Sequence, residues 1–211
     1  LEICKYFDVP MMDFKIKRNL SINTNKKAIS IFPVSTSVIR SLPDKVIVKI
    51  IENFADKYKI RIIVDDSPIS HNLQSKIKEN KFYFYKPVNL ENLMLEISKT
   101  HFGIFVDSGP LHLAKMLDTS GILIETSVAS DIILTNSNNI YAAKNLYKSD
   151  YCNGPCGLVD IFSFNKTVGC YETNKLSFET IRPLKSFRNL QRWNKIENNS
   201  HFILNPVGCV K

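Results

Sequence analysis

Four residues in 105-FVDSGPLHLAKMLDT-119 carry side chains suited to holding a small anion: Asp107, Ser108, Gly109 and His112. An apolar, strand-like run ends at Asp107. Ser108 and Gly109 make the turn, and Pro110 suits the first position of a helix. A helix opening there points unpaired backbone N–H groups and the positive end of its dipole at whatever lies beyond the strand, an arrangement that suits phosphate. Gly109 allows close approach to the backbone, and His112 sits one turn in. The plainer alternative is that Ser108 or Asp107 caps the helix and His112 is an ordinary surface residue. A second group lies in 32-FPVSTSVIRSLPDK-45, after the first apolar strand. Ser35, Thr36 and Ser37 offer hydroxyls and backbone N–H groups, and Arg40 and Lys45 offer positive charge. This is a workable diphosphate cradle, or else an ordinary polar loop. Neither stretch is a G-x-G-x-x-G turn or a P-loop.

Two further groups carry less. Cys152, Cys156 and Cys170 cluster, with Cys4 and Cys209 apart from them. Three thiols could hold zinc with a fourth ligand, but the spacing is not that of paired C-x2-C sites and no fourth ligand is evident. Free or structural cysteines are the simpler expectation, and no metal is expected. Near the end, Lys185, Arg188, Arg192 and Lys195 form the basic side of an amphipathic stretch, either a solvated helix face or a surface for a membrane.

The elements that must position the first two groups are regular. Apolar, β-branched runs at 28–33, 60–64, 81–85, 102–106 and 121–125 read as strands. Amphipathic spacing predicts helices over 43–58, 69–79, 89–99 (started by Asn89) and 110–118. Strands apolar throughout need both faces covered, so the chain from about 28 to 145 reads as an α/β, doubly wound parallel sheet. Ligands of such sheets bind at the carboxyl ends of the strands, where both candidate loops fall. Beyond residue 135 the sequence reads as irregular, including TNSNNIY and 149–174. A helical pattern starting at Ser177 is interrupted by Pro183 and resumes over 184–195.

Composition narrows the classes. In 211 residues, 44% are hydrophobic and 23% charged, which is a globular balance and excludes a disordered chain. No apolar run approaches the roughly 20 residues of a membrane span. No signal peptide is recognisable, so a cytoplasmic location is expected, with peripheral contact at an inner membrane. The chain does not start with Met, and it reads as processed or as a piece of something longer. The net charge of +8 fits a lysine-rich surface or an anionic partner. Nucleic acid is not expected, since aromatic–basic interleaving and a helix-turn-helix pattern are both missing.

Asp107-Ser108-Gly109-Pro110-Leu111-His112-Leu113-Ala114 resembles the Asp-(Ser/Thr)-Gly-x-x-His-x-Ala signature of glycosyltransferase family 9, the lipopolysaccharide heptosyltransferases. Arg40-Ser41-Leu42-Pro43 resembles that family's Lys/Arg-x-Trp-Pro element, with Leu42 in place of Trp, and Ser35 and Thr36 match the preceding hydroxyl pair. Cys152-Asn153-Gly154-Pro155-Cys156 loosely resembles a cysteine segment of many members. The likeness runs over about 28–182. It implies a Rossmann-like half of a GT-B fold that holds a nucleotide-sugar donor, ADP-heptose-like, for transfer to a bacterial glycolipid or glycan such as lipopolysaccharide core. It implies an inverting reaction without a metal or other cofactor. Donor contacts then fall on Ser35, Thr36, Arg40, Asp107, Ser108, Gly109 and His112, with Asp107 on a sugar hydroxyl or holding the turn. Residues 1–27 become the remnant of an N-terminal domain and linker, the catalytic base lies in that domain, and 183–211 is a basic helix and tail. Where the family has a Phe-Gly-Pro-Thr-like loop, this chain has Ile124-Glu125-Thr126-Ser127, and an acidic residue beside a nucleotide pocket departs from the family's pattern, which leaves the donor's identity open. The alternative is a non-catalytic nucleotide-sugar-binding module.

Overall fold

The computed structural model describes residues 28–78, 80–135, 137–148 and 154–157. The strands are β1 (Ala28–Phe32), β2 (Lys59–Ile63), β3 (Phe82–Tyr85), β4 (Phe102–Phe105), β5 (Gly121–Ile124) and β6 (Ile140–Ala143). Between them run α1 (Asp44–Phe54), α2 (Pro68–Lys76), α3 (Leu90–Ser98), α4 (Gly109–Met116) and the short α5 (Ser130–Ile133). A 3-10 turn, Val38–Arg40, precedes α1. The six strands form one sheet in the order β3-β2-β1-β4-β5-β6, and every pairing is parallel. This is the Rossmann-like α/β sheet that the apolar runs imply.

Alternation along the strands divides the core in two. On one face Ile29, Ile31, Ile60 and Ile62 pack with Ile47 and Ile51 of α1 and Leu73 of α2. On the other, Phe32, Ile63, Phe105 and Leu123 pack with Ile97 of α3 and Leu111 and Ala114 of α4. The helices therefore change faces between the β1–β3 half and the β4–β6 half. The change falls between β1 and β4, which are neighbours in the sheet though far apart in sequence.

Packing around β4 depends on two glycines, Gly103 in β4 and Gly121 opposite it in β5. A Cβ on Gly103 would lie 2.2 Å from the Phe105 ring, and one on Gly121 would lie 2.4 Å from the Gly103 carbonyl oxygen. Phe105 is fully buried and stacks on Phe32 with ring centroids 4.9 Å apart, so it has no room to give. A buried polar group fixes α3 on the sheet. Arg61 Nη1 donates to Glu96 Oε2 at 2.6 Å, Lys99 pairs with the other oxygen at 2.9 Å, and Thr100 Oγ1 donates to Ser30 Oγ at 2.8 Å.

Two expectations are corrected. The stretch TNSNNIY is not irregular throughout: its last residues, Ile140 and Tyr141, begin β6, which pairs with β5 from Gly121↔Ile140 to Ile124↔Ala143. The helices are also shorter at their ends than periodicity suggests, most clearly α1, which stops at Phe54 rather than at residue 58. Asn89 does start α3, its side chain accepting from the Asn92 N–H. Residues 1–27, 149–153 and 158–211, Cys152 and Cys170 among them, lie outside the described residues, so the proposed linker, the irregular 149–174 region apart from 154–157, and the basic helix are not placed. Among the described residues no helix is long and apolar enough to cross a membrane.

Candidate functional site

Both candidate loops leave the carboxyl ends of adjacent strands at the point where the helices change faces. In open parallel sheets this is where a crevice forms. The loop after β1 is folded by its own serines. Ser41 Oγ accepts from Ser35 N–H at 3.0 Å and donates to the Ser37 carbonyl at 2.8 Å, and the Leu42 N–H bonds to Pro33 O at 2.8 Å. Leu42 is buried in the core, so the apolar part of the Arg-Ser-Leu-Pro element is a packing anchor.

Two bonds stitch this loop to the one after β4. Ser35 Oγ donates to the Asp107 carbonyl at 2.8 Å, and Arg40 Nη1 pairs with Asp107 Oδ2 at 3.0 Å. Arg40 Nη2 also donates to Thr36 Oγ1 at 2.6 Å. The Arg40 and Asp107 side chains are only 14% and 13% exposed, so the pair is partly desolvated and its geometry is fixed. His112 Nε2 stands 4.0 Å from Asp107 Oδ1 on an exposed side chain.

Six of the seven site residues (Ser35, Thr36, Arg40, Asp107, Ser108 and His112) meet here, and Gly109 lies at the same turn. Their roles separate. Ser35 and Ser108 face inward: Ser35 Oγ bonds across the seam, and Ser108 Oγ donates to Val106 O at 3.2 Å. Ser108 occupies the N-cap position of α4 without a side-chain capping bond, whereas Ser67 caps α2 and Asn89 caps α3. The capping alternative for Ser108 is therefore set aside, and the Gly109 N–H has no acceptor among the described residues. Gly109 is exposed, and a Cβ built on it would meet nothing within 4 Å. Thr36 is exposed at the rim. Lys45, in the first turn of α1, is exposed to solvent.

Beside this polar seam opens a cleft of about 360 Å³ lined mainly by apolar groups, among them Phe32, Val34, Ile63, Leu90, Leu93 and Pro110. Val34 belongs to the loop after β1, and Pro110 to the first turn of α4. Asp65, following β2, lines the same cleft. Partial desolvation pushes its carboxyl up, but hydrogen bonds from Ser67 and Ser70 outweigh this and hold it below the ordinary carboxylate value. Sequence reasoning passed over Asp65, although its place at a strand's carboxyl end was a usable signal. The acidic residue that departs from the family's loop is engaged within the protein. Glu125 is buried, and its Oε2 accepts from Ser130 Oγ at 2.9 Å, closing the loop after β5. Of the cysteines only Cys156 is among the described residues, and it is exposed. Nearby, the Gly157 N–H donates to Ser127 O at 2.7 Å.

No family model matches the chain, and no curated protein matches it. Solved structures do. The fold is similar to that of the E. coli heptosyltransferase WaaC with ADP-2-deoxy-2-fluoro heptose, at TM-score 0.51 and 17% identity over 60% of this chain and 39% of that one. It is similar also to the E. coli ADP-heptose lps heptosyltransferase II, at TM-score 0.50 and 12% identity over 67% of this chain and 41% of that one. This chain thus spans about two fifths of the length of each. At these identities the likeness is one of fold alone.

Proposed function

We propose that this chain is the donor-binding half of a glycosyltransferase that takes a sugar from a nucleotide-sugar and passes it to a glycan or glycolipid. The observation that carries the reading is the stitched pair of loops, Ser35-Thr36-Arg40 against Asp107–His112, placed at the sheet's switch point next to an apolar cleft. The cleft takes the nucleoside, with the Asp65 carboxylate as an acceptor for its hydroxyls. The polar seam takes the diphosphate, and the sugar lies beyond it toward His112.

The chemistry follows from where charge grows. When the bond from the anomeric carbon to the leaving oxygen breaks, its electron pair goes to the diphosphate. Donors already aimed at that oxygen lower the barrier without reorganising. Arg40 is held in place by Asp107 and Thr36, the Gly109 N–H and the α4 dipole face the same point, and Thr36 and His112 supply donors at the rim. Ser35 and Ser108 hold the loops in register. The donor is ADP-heptose-like, the reaction inverting and metal-independent, and no cofactor is required. The catalytic base belongs to a separate N-terminal domain, of which 1–27 is the end. Residues 28–182 form the donor domain and 183–211 a basic helix and tail. The location is cytoplasmic, with peripheral membrane contact, and nucleic acid is not a partner.

Calorimetric titration of the 211-residue chain with ADP-, UDP- and GDP-sugars tests this. Binding of at least one, without efficient transfer to a lipopolysaccharide-core acceptor, is expected. Binding of none would remove both this reading and that of a non-catalytic module. Efficient transfer by the chain alone would contradict the assignment of the base to another domain.

A further inference from the structure

The sheet is unevenly covered. On the face carrying α1 and α2, the β4–β6 half has no helix over it among the described residues. Its apolar side chains line a trough of about 410 Å³ floored by Phe102, Ile104, Ile122 and Ile124 and walled by Phe54 and Tyr58. Tyr141, on the same face of β6, is 69% exposed. A parallel sheet needs both faces buried, and an open apolar surface of this kind marks a docking site. Both connections within this half, α4 and α5, pack on the opposite face. The chain leaves β6 at the sheet edge that borders the trough and runs on from Gly157 to Lys211.

We infer that the segment 184–195, LKSFRNLQRWNK, is the occupant of this trough. At helical pitch its four basic residues, Lys185, Arg188, Arg192 and Lys195, fall on one stripe. Phe187, Leu190 and Trp193 fall on the opposite side, with Leu184 at the edge of the basic stripe, and those three supply an apolar surface to cover the trough. The basic stripe then faces solvent, so any attraction to an anionic membrane acts through charge and not through insertion of the apolar side. The inference does not depend on what the carboxyl-end site binds.

Trp193 is the chain's only tryptophan, which makes the test direct. In the 211-residue protein its emission should be blue-shifted and protected from acrylamide, at all protein concentrations and without lipid. Ile124→Glu, in the floor, should shift the emission to the red and raise quenching toward that of free indole. Phe54→Glu, at the more exposed wall, should do the same while leaving far-UV circular dichroism unchanged, so loss of fold is not needed to see the effect. Solvent-like emission in the unaltered chain would overturn the inference. So would a blue shift that develops only with concentration (a second copy in the trough) or only with phosphatidylglycerol vesicles, or one that Phe54→Glu leaves untouched.

Discussion

At the residue scale, two glycines that look alike in sequence are held for different reasons. Gly121 is packed: an added methyl would strike the Gly103 carbonyl and the immobile Phe105 ring. Gly121→Ala should therefore lower stability by about 1–3 kcal/mol, read from urea midpoints. Gly109 has open space where its side chain would be. Gly109→Ala should leave the urea midpoint nearly unchanged and weaken nucleotide-sugar binding, because the space it fills is the ligand's. Equal loss of stability in both variants would show that Gly109 serves packing. The same contrast explains what could be read in advance. Residue types and loop positions of the site were visible in the sequence. The inward turn of the Ser35, Ser108 and Glu125 side chains was not, since each depends on a partner that only the folded chain brings near.

At the element scale, the Arg61–Glu96 pair ties α3 to β2 across the sheet interior. Removing one partner leaves a buried charge, so Glu96→Ala should cost about 3 kcal/mol or more of stability, measured by denaturant unfolding. Asp65 gives a pH signature for the turn between β2 and α2. Its carboxyl is lower in the folded chain than its ordinary value, so it contributes stability above about pH 4 that is lost as pH falls through the lowered folded value. Ser70→Ala removes one of the bonds that lower it. The stability gap between that variant and the parent should be present at neutral pH and narrow below pH 4. Five strands were legible because each is a continuous apolar run. β6 was not, because Ile140–Ala143 is an edge strand with an exposed tyrosine and two alanines. α5, four residues long, is too short to show a helical period.

At the scale of the whole molecule, strand order makes the site. Sequence could show that two polar loops follow two strands. It could not show that β1 and β4 are neighbours, and that neighbourhood brings Arg40 within 3.0 Å of Asp107. The central claim is that this seam grips a diphosphate while the cleft beside it grips the nucleoside. It is tested by comparing the affinities of a nucleoside and its diphosphate for the parent chain and for Arg40→Ala. A charge-assisted contact is worth about 1.5–3 kcal/mol, so the variant should lose roughly 10- to 100-fold for the diphosphate and little for the nucleoside. Equal losses for both ligands, or no loss for the diphosphate, would contradict the account.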